Sequence, residues 1–172
     1  MNYDTSEIGE NVVDLEHASK TLLSLNQTAW TREAETKPKL RTFNQIHDFN
    51  TYQTLVQTPV TRIQRSFLSQ LKFGILPLKI ETDRYQGIKP ENRLCKLCNL
   101  NEPEDEIHFI FRCPALSEGR LSVTSHINLR NISLTTGSEI PNLRLMFQKE
   151  NISSFAIYLE RLYKTRQKLI YG

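Results

Sequence analysis

Long hydrophobic runs are missing from these 172 residues, and none approaches the roughly 20 consecutive apolar residues that a bilayer-spanning helix needs. A soluble chain is expected. Nothing at the N-terminus looks like a secretory signal, so the protein is expected inside the cell, in nucleus or cytoplasm. Cysteine is scarce: there are three, all between positions 95 and 113. A disulfide framework would leave one of them odd, and thiols confined to one cluster fit a metal site in a reducing compartment. The Asn-x-Ser/Thr sequons at Asn26, Asn131 and Asn151 are therefore read as chance matches. Strong net charge is also absent. The formal value is +3, too small to argue nucleic-acid binding by itself. Its distribution is uneven. The first nineteen residues hold Asp4, Glu7, Glu10, Asp14 and Glu16 with no Lys or Arg, whereas Pro59 to Lys96 holds eight basic residues against three acids.

What is present gathers at Cys95-Lys96-Leu97-Cys98, followed by His108 and Cys113. A two-residue gap lets one tight turn offer two thiolates to one metal, and a second pair from a neighbouring element closes a tetrahedron. Cys95, Cys98, His108 and Cys113 are expected to hold one structural zinc ion. Four protein ligands leave no open position for water or substrate, so the site is not catalytic. A redox reading of CxxC leaves His108 and Cys113 unexplained.

Around this window the chain reads as mostly α-helical with little or no β structure: a small helical domain fastened by one zinc knuckle. Residues 1–29 form an acidic, partly flexible extension and 30–172 the domain, with the knuckle at 93–114. Within 21–30, Leu22, Leu23, Leu25 and Trp30 are expected to dock part of the segment on the core. Apolar spacing predicts a helix over about 40–56 and a better-signalled one from a Thr58 cap, through Pro59, to Gly74. In the second, Val60, Ile63, Phe67, Leu68 and Leu71 share one arc. Arg62, Arg65, Ser69 and Lys72 occupy the opposite one, a positive stripe that is otherwise an ordinary solvated face. The run 75–80 should cross the core extended, because Pro77 disfavours a central strand. Tyr85, Ile88, Leu94 and Leu97 are expected to pack inward. Glu104, Asp105 and Glu106 suit a helix start, and that helix should unwind by Cys113, since residues five apart on an unbroken α-helix point about 140° apart. A moderate helix follows over 116–129, then a loop over 131–141, a short helix opening near Leu143, and a terminal one capped by Asn151.

The run from Arg65 to Gly74, then Pro77 to Tyr85, Arg93 to Cys98, and Glu104 to Pro114 resembles the C-terminal zinc-binding region of non-LTR (LINE-type) retrotransposon reverse transcriptases. Lys39 to Phe43 and Ser153 to Lys168 look similar too, whereas the acidic N-terminus has no counterpart. Asp83 stands where relatives often carry glycine. The resemblance implies a zinc-dependent module that works on template RNA or target DNA beside the polymerase part of a parent retroelement protein, with the four ligands at Cys95, Cys98, His108 and Cys113. No Tyr-x-Asp-Asp run for polymerase metals occurs, nor any nuclease-like constellation, so no enzyme and no small-molecule substrate are expected.

The expected partner is RNA or DNA, gripped at its phosphates by Arg62, Arg65, Lys72, Lys79, Arg84, Lys89, Arg93 and Lys96, with Tyr85 as a stacking candidate. Arg93, Lys96 and Arg112 would offset the net charge of about −1 on three thiolates and one imidazole around zinc. The alternative is a zinc-stabilised protein-interaction module, or a decayed retroelement fragment with no selected activity. The modest charge and the four acids between the ligand pairs favour it.

Overall fold

Ile152, Phe155, Ala156, Leu159, Leu162 and Tyr163 recur at three- and four-residue steps, which puts them on one face of the C-terminal helix. In the computed structural model, which describes residues 15–46, 55, 57–124 and 137–172, that face is buried throughout. The domain is built around it. The helices are α1 Leu15–Glu35, α2 Arg41–Ile46, α3 Arg62–Lys72, α4 Lys79–Thr82, α5 Ser117–Thr124, α6 Glu139–Met146 and α7 Ile152–Tyr171. Among the described residues there is no sheet, only an isolated bridge between Leu94 and Pro103, so the expected mostly helical architecture is what forms. No described helix is long and apolar enough to cross a membrane.

The chain divides into two units, Met1–Lys37 and Pro38–Gly172. In the first, α1 carries the i,i+4 pairs Glu16–Lys20 and Glu33–Lys37. Leu22, Leu23, Leu25 and Trp30 are all exposed.

In the second unit α3 and α5 both pack on α7. Phe67 tilts against Tyr163 with ring centroids 5.0 Å apart, and the α3–α7 seam is closed at its edge by Gln64 donating to Glu160 at 2.9 Å. Helix α3 begins later than Thr58 and Pro59 suggest. Thr61 is its cap, in a reciprocal capping box with Gln64, a Thr-x-x-Gln pattern present in the sequence. Its buried arc is also rotated. Ile63 is 60% exposed whereas Lys72 is 3% exposed, because α2 packs on the Lys72 side. There Phe43 stacks on Phe73 at 5.6 Å and the Lys72 ammonium sits 5.3 Å from the Phe43 ring. Gly74 ends this turn as expected. Its φ is +64°, and a Cβ there would lie 2.5 Å from the Lys39 carbonyl oxygen, so both conformation and space demand glycine.

The run bends at 76–78 instead of crossing extended, with the Leu78 amide donating to the Leu76 carbonyl at 2.6 Å; Leu76 and Leu78 still point inward on either side of exposed Pro77, and the chain turns helical at Lys79. Helix α6 starts before the expected Leu143, with Pro141 inside its first turn, where no intrahelical N–H is lost. Asn151 occupies the cap position of α7, but its amide donates to the Leu145 carbonyl at 3.0 Å instead of capping. Phe43, Ile46 and Leu55 from the expected 40–56 helix are buried, and positions 47–54 and 56, like 125–136, lie outside the described residues.

Candidate metal centre

The CxxC turn hangs from two backbone bonds across the Leu94–Pro103 bridge: the Cys95 amide donates to Glu102 at 2.9 Å, and the Glu104 amide to Arg93 at 3.0 Å. His108 and Cys113 come from the following helix, and here the geometry differs from a helix that unwinds. Residues His108–Arg112 form a π-helical turn, and the Cys113 amide donates to the His108 carbonyl at 2.8 Å. This i→i−5 bond widens the turn, so residues five apart return to one side where an α-helix would separate them. Cys113 then leaves at φ −55°, ψ 113°, the extended region that Pro114 imposes on its predecessor. Tyr158 of α7 steadies the widened turn by donating its hydroxyl to the Ile110 carbonyl at 3.0 Å.

The four side chains meet. One ligand atom from each of Cys95, Cys98, His108 and Cys113 lies within 4.8 Å of all the others. The Cys95 and Cys113 sulfurs are 3.8 Å apart, and the Cys98 sulfur is 3.5 Å from His108 Nε2. All but Cys98 are buried. The cluster is compatible with a metal ion held by three sulfurs and one nitrogen.

Backbone amides and burial act on the three thiols in opposite directions. Burial raises the Cys98 thiol above its ordinary value against the Leu100 backbone amide, and the amides of Leu97 and Ala115, likewise two residues beyond a cysteine, act to lower Cys95 and Cys113. The hydrogen bond with Cys113, together with burial, nevertheless pushes the Cys95 thiol up to about 12. The same bond draws Cys113 below the ordinary thiol value. A cation among the sulfurs would favour their thiolate forms. His108 Nδ1 lies 3.1 Å from Glu102 Oε2, which orients the ring with Nε2 toward the sulfurs. Sequence reasoning missed Glu102, counting it only as one of several acids. Its place six residues before His108 becomes meaningful once the Leu94–Pro103 bridge folds it back.

Of the acids expected at a helix start, only Asp105 serves there, accepting from the His108 amide at 2.7 Å. Glu104 and Glu106 are buried ion-pair partners. Glu104 takes Arg166 of α7 through both oxygens at 2.8 and 2.7 Å and also the Lys79 amide at 2.9 Å. Glu106 takes Arg41 at 2.6 and 3.1 Å, and burial raises its carboxyl above the ordinary value even against that guanidinium. The two residues flanking Asp105 thus tie the metal cluster to α7, α4 and α2.

The eight cations expected at a phosphate surface separate into three groups. Arg62, Arg65, Lys89 and Lys96 are exposed. Lys79 and Arg84 are half-buried and paired with Asp83 at 3.1 Å and Glu81 at 2.8 Å. Lys72 and Arg93 are buried; Arg93 donates to the carbonyls of Ile80 at 2.6 Å and Ile88 at 2.8 Å, so it braces the knuckle and cannot face solvent. Of the charges expected to offset the cluster, Lys96 is exposed and Arg112 pairs with Glu139 at 3.0 Å. Tyr85, expected to anchor the knuckle, is 77% exposed with its hydroxyl on Glu81 and Arg84 over its ring. Leu94 sits at the rim, while Leu97 and Ile88 are half-buried. No protein-family model, no curated protein and no solved structure matches this chain.

Proposed function

We propose that the chain is a non-enzymatic nucleic-acid-binding module whose knuckle is closed by one structural zinc ion, as its resemblance to the C-terminal region of LINE-type reverse transcriptases implies. Zinc suits the cluster's dimensions. Tetrahedral bonds of about 2.3 Å to sulfur and about 2.0–2.1 Å to nitrogen require edges of about 3.8 Å between sulfurs and about 3.5 Å from sulfur to nitrogen. The Cys95–Cys113 and Cys98–His108 edges are 3.8 and 3.5 Å, and all six edges lie within 4.8 Å. Glu102→Ala is expected to lower zinc affinity by about 10–100-fold, read by competition with a chelator. Glu102→Gln keeps an acceptor for the imidazole N–H and should lose much less. Equal affinities for all three proteins would remove Glu102 from the site.

The observation that carries nucleic-acid binding is where the charge lies. Pro38–Gly172 holds 19 basic against 12 acidic residues, a formal +7, while Met1–Lys37 holds 3 against 7, a formal −4. Inside the larger unit Glu81, Asp83, Glu104, Glu106, Glu139 and Glu160 are each engaged by a cation. Arg62, Arg65, Lys89, Lys96, Arg161 and Lys168 stay exposed, and no ion pair involves them among the described residues. Such a surface binds phosphates with steep salt dependence. Mobility shifts of zinc-loaded protein on single- and double-stranded RNA and DNA over a salt series test it. Arg62→Glu with Arg65→Glu should weaken binding while leaving helicity unchanged. Absence of binding at low salt would defeat the proposal and leave the protein-interaction reading, which the exposed Leu22, Leu23 and Leu25 of α1 favour.

A further inference from the structure

We infer that the cleft between the Cys95–Cys98 turn and the last turns of α7 receives one unpaired nucleotide, so that the protein prefers single strands to duplexes. This deepens the nucleic-acid reading above and rests on it. The cleft has a volume of about 440 Å³, within the range of small-molecule sites, and it is far too small for a duplex. Its floor is the Glu104–Arg166 pair, closed on itself, beside the Tyr163 ring. One wall belongs to α4 and the turn after it, with Lys79 and Gln86. The other belongs to α7, where Gln167, Ile170 and Tyr171 follow Tyr163 at three- and four-residue steps and so share its face. Lys96 stands at the mouth.

The chemistry of the rim selects the ligand. Asp83 neutralises Lys79 at 3.1 Å and Glu104 neutralises Arg166 at 2.7 Å, which leaves Lys96, among the described residues, as the one positive charge lining the cleft with no ion pair. A polyphosphate would meet too little charge and too many carboxylates, whereas one phosphodiester matches one ammonium. The amides of Gln86 and Gln167 take part in no hydrogen bond within the described chain, and each offers both donors and an acceptor to a base edge. Tyr171 is 83% exposed, and its ring offers an apolar face on which a base can stack. A base inside a duplex has both its pairing edge and its faces occupied, so only an unpaired one satisfies this set.

Fluorescence anisotropy of the zinc-loaded full chain, with a short labelled single strand and a duplex of the same sequence, tests this. The single strand should bind more tightly. Tyr171→Ala should weaken single-strand binding about tenfold with duplex binding unchanged, and Tyr171→Phe should restore it. Lys96→Gln should reduce the single-strand salt slope by about 0.7, the share of one phosphate. A ratio of single-strand to duplex affinity unchanged in both Tyr171→Ala and Gln167→Ala would overturn the cleft assignment while the basic surface stands. Failure of the unaltered protein to bind either form would instead overturn the nucleic-acid reading itself.

Discussion

Chelation of the metal, or Cys98→Ser, is expected to melt at least the segment from Tyr85 to Ala115. Apart from the Arg93 brace onto the Ile80 and Ile88 carbonyls, little else holds the CxxC side of the knuckle. Its backbone contributes the two bonds of one isolated bridge, Leu94 and Leu100 are exposed and Leu97 is only half-buried. Against this, structural zinc supplies on the order of 10–16 kcal/mol at neutral pH in small zinc domains. The bond with Cys113 and burial push the Cys95 thiol up to about 12. The α3–α7 core rests on Leu68, Leu71, Phe155, Leu159 and Leu162, none of which belongs to the Cys/His cluster, so helicity there should survive. The expected result is one zinc per chain by elemental analysis, and selective loss of amide protection over the knuckle on chelation. A stoichiometry near zero in reducing buffer, or unchanged protection after chelation, would refute it.

The second large effect belongs to Arg166. Arg166 is 5% exposed and its guanidinium is held by Glu104 at two points. Arg166→Ala strands a buried carboxylate, which typically costs about 3–5 kcal/mol. Pairing the change with Glu104→Gln should recover much of that loss, because the glutamine oxygen can still accept from the Lys79 amide while carrying no charge. The double variant is therefore expected to be more stable than Arg166→Ala alone, a non-additivity that urea denaturation of the four proteins measures. If Arg166→Ala costs less than about 1 kcal/mol, comparable to an exposed pair, the bridge between α7 and the knuckle contributes little.

Both effects involve the acids Glu104 to Glu106, where reading along the chain and reading in space diverge. A run of acids before an apolar stretch has a familiar local role at a helix start, and Asp105 fills it. The neighbours on either side point elsewhere, to Arg166 and Arg41, which lie 62 and 65 positions away in the chain. Nothing in the local pattern separates one acid from the next. The positive stripe of α3 has the same history. Helical periodicity places Arg62, Arg65 and Lys72 together, yet α2 arrives on one flank and buries Lys72.

The sequence by itself determined which three cysteines and one histidine gather, the helical class and the turn at Gly74. Each of these follows from short-range constraints: a two-residue gap that one turn can span, a repeat near 3.6, and a backbone angle only glycine adopts readily. The tertiary structure decided three further things. It converted the expected unwinding before Cys113 into a π turn, because Tyr158 and the cluster's own dimensions hold that segment in place. It brought Glu102 to His108 across an isolated bridge. It also sorted the cations into buried braces, ion pairs and open charges, since the position of a partner from a distant helix decides whether an arginine meets a carboxylate, a carbonyl or water.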